Sequence, residues 1–157
     1  MRARGLIQAR VSRCALLFLL LFACHTPLLA ETPRSIAPGY LVRIDQNKPE
    51  EVEAALLRAE ALYADSAALT LGSPPIALVL HGPEAKIFFR ENYKRYKNIV
   101  DLAARLTAFQ VVDIKVCRTR LRFLEQNEES LFPFVGTVAF GPDEIARLTE
   151  EEGYVRF

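Results

Sequence analysis

One continuous apolar run, Ile76–Leu80, constrains the fold of this chain more than any other feature. Turn-forming residues at 72–75 precede the run, and His81-Gly82-Pro83 ends it. A strand without polar alternation is typical of a sheet that is covered by helices on both faces. Parallel sheets are covered in this way, because the connections between their strands are helical crossovers. The run therefore predicts an α/β protein built on a parallel sheet.

The rest of the chain alternates strand-like with helix-like segments. Four more strands are predicted, at residues 40–44, 111–116, 133–140 and 154–157. The helical spacing of apolar residues predicts helices at residues 49–63, 99–106 and 141–148, and residues 84–96 and 118–127 are also predicted to be helical. Strands that alternate with helices pair in parallel through right-handed crossovers, so we expect a three-layer α/β/α sandwich with a mainly parallel sheet of about five strands.

The amino-terminal residues have the layout of a secretory signal. Four arginines precede an apolar run at residues 14–23, and no acidic residue occurs before Glu31. The run is about half of the roughly 20 residues that a membrane-spanning helix needs, so we expect no stable transmembrane segment. The sequence thus predicts a signal peptide at residues 1–30, a leader at 31–39, one domain at 40–157, and a periplasmic or secreted product.

A second processing route starts at Cys24. Residues 21–24 resemble a bacterial lipoprotein box, in which Cys24 would become the lipidated first residue. The soluble product is the first hypothesis and the lipoprotein is its alternative.

The charge balance argues against a nucleic-acid partner. Removing residues 1–30 takes away four of the 20 basic residues and leaves 16 against 19 acidic ones, a net charge of −3. A mildly acidic protein has no electrostatic attraction for nucleic acid or for an anionic membrane.

Cysteine and histidine counts limit the chemistry of the mature chain. Of three cysteines and two histidines, only Cys117 and His81 lie beyond residue 30. One cysteine cannot form an intrachain disulfide, and one Cys/His pair is too small for a zinc site. Phosphate-binding glycine loops and Ser/His/Asp arrangements are absent from the sequence. The sequence therefore predicts no metal and no cofactor.

Both of these residues follow predicted strands. His81 comes directly after residues 76–80, and Cys117 comes directly after 111–116. Ligands of open α/β sheets bind beyond the carboxyl ends of the strands, which makes Cys117 the candidate nucleophile and His81 a tentative partner. A following helix and the nearby arginines, Arg118 and Arg120 among them, would favour the thiolate.

Each candidate residue also has a purely structural interpretation. Cys117 is equally well a packed residue at the end of a buried strand. Arg118 and Arg122 more simply form a solvated helix face, which is the commoner arrangement of surface arginines. His81 and Gly82 more simply shape the turn between a strand and a helix, with Pro83 at the first helical position.

The order of these motifs resembles the DsrE/DsrF-like family over nearly the whole mature chain. The matching segments are the strand that ends in His81-Gly82-Pro83, the strand 111–116 followed by Cys117, the strand 135–140, the segment Ile145-Ala146-Arg147-Leu148 and Gly153-Tyr154. The resemblance implies a parallel α/β/α sandwich that assembles into homo-oligomers, commonly trimers or hexamers. It also implies that Cys117 carries sulfur as a persulfide.

This chain departs from the sulfur-relay members of the family in two respects. Those members are cytoplasmic, whereas this chain carries an export signal, and Arg118-Thr119-Arg120 replaces the small residues that are usual after the cysteine. Our first hypothesis is an exported, sulfurtransferase-like carrier. In it Cys117 exchanges sulfur with a protein or a small sulfur compound, and Gly82, Arg118 and Arg120 help bind the anionic sulfur. The rival hypothesis is a non-catalytic oligomeric binding or assembly module with a packed Cys117.

Overall fold

A computed structural model describes residues 39–45, 47–65 and 73–156. Five strands form one sheet in the order β4-β3-β2-β1-β5, and every neighbouring pair is parallel. The strands are β1 (Tyr40–Leu41), β2 (Ile76–Leu80), β3 (Val112–Cys117), β4 (Gly136–Val138) and β5 (Val155–Arg156). The predicted parallel α/β sandwich is confirmed. The signal peptide, most of the leader, Cys14 and Cys24 lie outside the described residues.

In the part of the chain that the structure describes, four α-helices connect the strands. They are α1 (Pro49–Ala64), α2 (Tyr93–Ala108), α3 (Arg118–Phe123) and α4 (Gly141–Ala146). Short 3₁₀ turns lie at Pro83–Phe88, Arg90–Asn92 and Glu128–Ser130, and a π turn at Arg147–Glu151 extends α4. Within the described residues, no helix is both long and apolar enough to cross a membrane.

The sheet buries apolar side chains on both faces, as the uninterrupted run of β2 predicts. Alternate residues of β2 point to opposite faces, because a strand has a period of two. Leu78 and its neighbours on one face pack against α1 and α2. Val79 on the other face packs with Leu41 and with Leu148 of the π turn. All five residues of β2 are consequently buried.

The helix predicted at residues 84–96 is not formed as one element. Two 3₁₀ turns occupy most of it, and α2 begins only at Tyr93. Phe88 and Phe89 are both buried, although consecutive residues of an α-helix point about 100° apart. Extended backbone at Phe89, which forms a bridge with Leu131, lets both rings enter the core.

Several predicted bounds also change. β1 and β4 are shorter than their apolar patterns, and the helix predicted at residues 118–127 ends at Phe123. Glu125, two residues later, has a positive φ of 56°, which is incompatible with a continuing helix. β3 includes Cys117 as its last residue.

Candidate functional site

Strand register brings His81 and Cys117 together. β2 and β3 pair in register up to Leu80 and Val116. His81 is the residue after Leu80, and Cys117 is the residue after Val116. Residues at matching positions of neighbouring parallel strands share one face of the sheet. His81 and Cys117 therefore lie side by side at the carboxyl edge, on the face that α4 covers.

Gly141, the first residue of α4, lies directly against both of them. A Cβ atom on Gly141 would stand 2.7 Å from the His81 Cβ and 3.4 Å from the Cys117 Cβ. The first distance is too short for a real contact, so the close approach of α4 to this edge requires a glycine. The sequence predicted Gly141 only as the start of a short helix, and its contact with the candidate residues was missed.

A cavity of about 290 Å³ opens beside the thiol. Its lining residues are His81, Cys117, Thr119, Arg120, Phe123, Phe140 and Pro142. Cys117 is only 3% exposed, whereas Phe123 and Phe140 are 75% and 44% exposed. The thiol thus lies at the closed part of the cavity, and two aromatic rings border its open part. The aromatic border was not predicted, because it joins residues from two different connections.

Arg120 is held next to this cavity. Its Nε donates a hydrogen bond of 2.8 Å to the His81 carbonyl oxygen, and its guanidinium lies 5.0 Å from the centre of the Phe123 ring. The hydroxyl of Thr119 donates to the carbonyl oxygen of Ala139 at 3.3 Å. These bonds tie α3 to the residues after β2 and β4, and they fix one positive charge close to the thiol.

The other predicted binding residues lie elsewhere. Arg118 pairs with Glu128 at 3.7 Å and lines a separate cavity of about 400 Å³. Gly82 is buried and belongs to the turn after His81. α3 is only six residues long, so the dipole of a long helix is not available to Cys117. Arg120 is the arginine that the structure places with Cys117.

Gly82 and Glu84 hold the turn that carries His81. The Gly82 N–H donates to Glu84 Oε1 at 2.8 Å, and the Glu84 side chain is buried. A Cβ on Gly82 would overlap Glu84 Oε2 and the Asn47 side-chain oxygen. A side chain at position 82 would therefore have to displace both of these groups.

The His81 ring has no hydrogen bond to the Cys117 thiol among the described residues. The bond that fixes its position is made by its backbone carbonyl, which accepts from Arg120. His81 forms one wall of the cavity that Cys117 also lines. The described part of the chain contains no cluster of three His, Cys, Asp or Glu residues that could hold a metal ion.

Comparisons with known proteins inform only the fold of this chain. No protein-family model matches the chain, and no curated protein matches it. The chain is similar to the solved structure of MTH1491, a protein of unknown function from Methanobacterium thermoautotrophicum, with 22% sequence identity and a TM-score of 0.59. The similarity covers 75% of this chain and 96% of MTH1491. It supports the α/β sandwich.

Proposed function

We propose that this protein is an exported, DsrE-like sulfur carrier that holds sulfane sulfur as a persulfide on Cys117. The supporting observation is the meeting of a thiol, an imidazole side chain and a guanidinium in one cavity at the carboxyl edge of a parallel sheet. Ligands of such sheets bind at this edge, and a persulfide is a small anion that a guanidinium stabilises.

The transfer needs only a nucleophilic thiolate and a leaving thiolate. The Cys117 thiolate attacks the outer sulfur of a donor persulfide, R–S–S⁻. The donor S–S bond breaks, R–S⁻ leaves with the electron pair, and Cys117–S–S⁻ forms. Attack by an acceptor thiolate on the outer sulfur reverses these changes and restores the Cys117 thiolate. No electron acceptor is consumed, so the protein acts as a sulfurtransferase-like carrier.

Burial of Cys117 fits a carrier in an oxidising compartment. An exposed single thiol would form disulfides with other molecules there. Cys117 is 3% exposed and lines the cavity that Phe123 and Phe140 border. This burial shields the thiol from contact with other thiols in that compartment.

The same burial favours the second candidate function. Free cysteines are often simply packed side chains, and Cys117 is the buried last residue of β3. In that case the protein is a non-catalytic binding or assembly module. The two functions differ in whether the thiol reacts in the folded protein.

The deciding experiment is intact-mass spectrometry of the mature protein after brief incubation with sodium polysulfide, beside Cys117→Ser. A carrier gains the mass of one sulfur atom, the gain disappears in Cys117→Ser, and a thiol acceptor removes it. The packed-module alternative is supported if no adduct forms in the folded protein while the same thiol is alkylated after denaturation. Circular dichroism of both proteins confirms that folding is unchanged.

We extend the proposal to processing and assembly. The signal peptide at residues 1–30 would deliver the protein to the periplasm or the medium, or Cys24 would anchor it as a lipoprotein. The subunits would form a trimer or a hexamer. The partner would be a sulfur donor or acceptor protein, or a small sulfur compound.

A further inference from the structure

The cavity beside the Cys117 thiol contains a guanidinium group with unused donors. Arg120 and Cys117 line this same space of about 290 Å³, which we call the Cys117 cavity. The Arg120 Nε donates to the His81 carbonyl oxygen at 2.8 Å. Within the described residues, no protein atom accepts a hydrogen bond from its two terminal amino groups, and no carboxylate pairs with them. The bond from Nε thus holds the guanidinium in place, while two donor groups remain for a ligand.

Arg120 differs in this respect from the arginines of the adjoining segments. Arg118 pairs with Glu128 at 3.7 Å, and Arg147 donates to both carboxylate oxygens of Glu144 at 2.9 Å. The protein itself therefore offsets the charge of each of these two arginines. Arg120 keeps its charge available, and a planar pair of N–H donors on a guanidinium matches the two oxygens of a carboxylate. The ligand expected beside Cys117 therefore carries a carboxylate.

Apolar side chains border the open part of the Cys117 cavity. Phe123 and Phe140 are both exposed, and Pro142 lines the cavity with them. Ligand pockets typically combine such an apolar lining with a few polar groups that orient the ligand. An inorganic sulfur anion has no carbon to place against these rings, whereas an organic donor does. The lining therefore favours a sulfur donor with a carbon chain.

The size of the Cys117 cavity limits the donor to a small molecule. Its volume of about 290 Å³ lies just below the range of about 300–1,000 Å³ for pockets that bury a drug-sized ligand. A water molecule occupies about 30 Å³ of the liquid, so the cavity equals the volume of about ten water molecules. A persulfide of a short-chain thiol fits a space of this size.

We propose, as an extension of the function proposed above, that the sulfur donor is a low-molecular-weight organic persulfide with a carboxylate, which Arg120 binds in the Cys117 cavity. The Cys117 thiolate attacks the outer sulfur of this donor. The donor S–S bond breaks, the donor thiolate leaves with the electron pair, and Cys117–S–S⁻ forms with no change in proton count and no oxidant. Because the Cys117 thiolate and the donor are both anions, the Arg120 guanidinium lowers the repulsion between them.

The test compares two persulfides that differ in one group. Mercaptopropionate persulfide ends in a carboxylate, and mercaptopropanol persulfide has the same chain with a hydroxyl in its place. Intact-mass spectrometry follows sulfur loading of Cys117, and each rate is divided by the rate at which the same donor reacts with a free thiol in solution. Inorganic polysulfide, which has neither carbon nor carboxylate, is the reference donor for the carrier function.

We expect the unchanged protein to load about tenfold faster from the carboxylate donor than from the hydroxyl donor, which corresponds to about 1.4 kcal/mol of transition-state stabilisation. In Arg120→Gln the two rates should agree within about twofold. Arg122→Gln is the matched control, because it removes the same charge from α3 but does not line the Cys117 cavity, and it should keep the preference of the unchanged protein. The comparison of donors in the unchanged protein needs no variant, so it stands even if Arg120→Gln does not fold.

Failure of this inference can be told apart from failure of the carrier function. Equal loading from the two organic donors, with loading from polysulfide intact, would overturn the carboxylate site and leave the carrier function in place. A preference for the carboxylate donor that persists in Arg120→Gln would overturn the role of Arg120. Absence of loading from any donor, polysulfide included, would overturn the carrier function and this inference with it.

Discussion

Gly141 shows how one missing side chain sets the geometry of the candidate site. Its Cα lies where α4 meets the carboxyl edge, and the atoms nearest to an added methyl group would belong to His81 and Cys117. Close packing in protein interiors leaves little freedom to absorb such a methyl. The relative position of α4 and the two candidate residues therefore depends on this glycine.

We expect Gly141→Ala to lower the free energy of unfolding by about 1–3 kcal/mol, because the new methyl would overlap the His81 Cβ. The substitution should also change the rate at which a small alkylating reagent modifies Cys117. Urea denaturation and timed alkylation measure the two effects.

Gly136→Ala is the matched control for this substitution. A Cβ on Gly136 would make ordinary contacts of 3.7 Å in β4, so this variant should keep its stability within about 0.5 kcal/mol. Equal stability of both variants would show that α4 is not held against the edge as described.

At the scale of residues, the sequence predicted the pair at the edge but not its surroundings. His81 and Cys117 could be placed together because each follows a strand, and parallel strands end at the same edge. Phe123, Phe140 and Gly141 could not be placed there. Their contacts depend on where the connection after β3 packs against the connection after β4. No local sequence pattern predicts that packing.

α4 is joined to the sheet by an ion-pair network. Glu144 accepts two hydrogen bonds of 2.9 Å from the Arg147 guanidinium and one of 3.1 Å from the Lys115 ammonium of β3. The Glu144 side chain is only 12% exposed. Hydrogen bonds from Arg147 first, and then from Lys115, lower the pKa of Glu144 from 4.5 to about 2.

This lowered pKa predicts a pH-dependent contribution to stability. A carboxylate whose pKa is lower in the folded state stabilises the fold fully above its unfolded value of 4.5 and loses this effect as the pH falls to about 2. We expect Glu144→Gln to cost about 1–2 kcal/mol at neutral pH, since Arg147 is partly exposed and the pair is screened by water.

The measurement is the urea midpoint from pH 6 down to about 2. Glu144→Gln should reduce the loss of stability between pH 4.5 and about 2, the interval of the lowered pKa. Glu150→Gln, an exposed carboxylate in the adjoining π turn, should keep the pH dependence of the unchanged protein. If Glu144→Gln loses stability just as steeply over this interval, the pH dependence of stability comes from other carboxylates.

At the scale of elements, the predicted and observed bounds of strands and helices agree best where one local sequence pattern dominates. β2 has its predicted bounds, because an apolar run between turn residues has no competing interpretation. The helix predicted at residues 84–96 was wrong as one element, because Phe88 and Phe89 both enter the core, which consecutive residues of one α-helix do not do. Tertiary packing overrode the local preference there, as it often does.

The order of the strands is a property of the whole molecule that the sequence did not predict. Alternating strands and helices implied parallel pairing, but they did not say that β5 pairs with β1. β5 has two residues, and the pairing depends on the path of the chain across the whole sheet. A cavity of about 320 Å³ that residues 41–45 and Arg156 help to line follows from that pairing and was invisible in the sequence for the same reason.

The predicted signal peptide leads to a test of the whole fold. If residues 1–30 are removed on export, the rest of the chain must fold without them. The described residues already form a sheet with apolar packing on both faces. We therefore expect a chain that begins at Ser35 to unfold in one cooperative urea transition, as single domains of this size do.

A shorter chain that begins at Asp45 provides the contrast. It lacks β1, which lies between β2 and β5 and contributes the buried Leu41 to the second face of the sheet. Losing a strand from inside the sheet leaves backbone groups of both neighbours unpaired, so this chain should show no cooperative transition. A cooperative Asp45 chain would mean that β1 is not needed for the fold, and a non-cooperative Ser35 chain would mean that residues before Ser35, in the predicted signal or leader, are part of the fold.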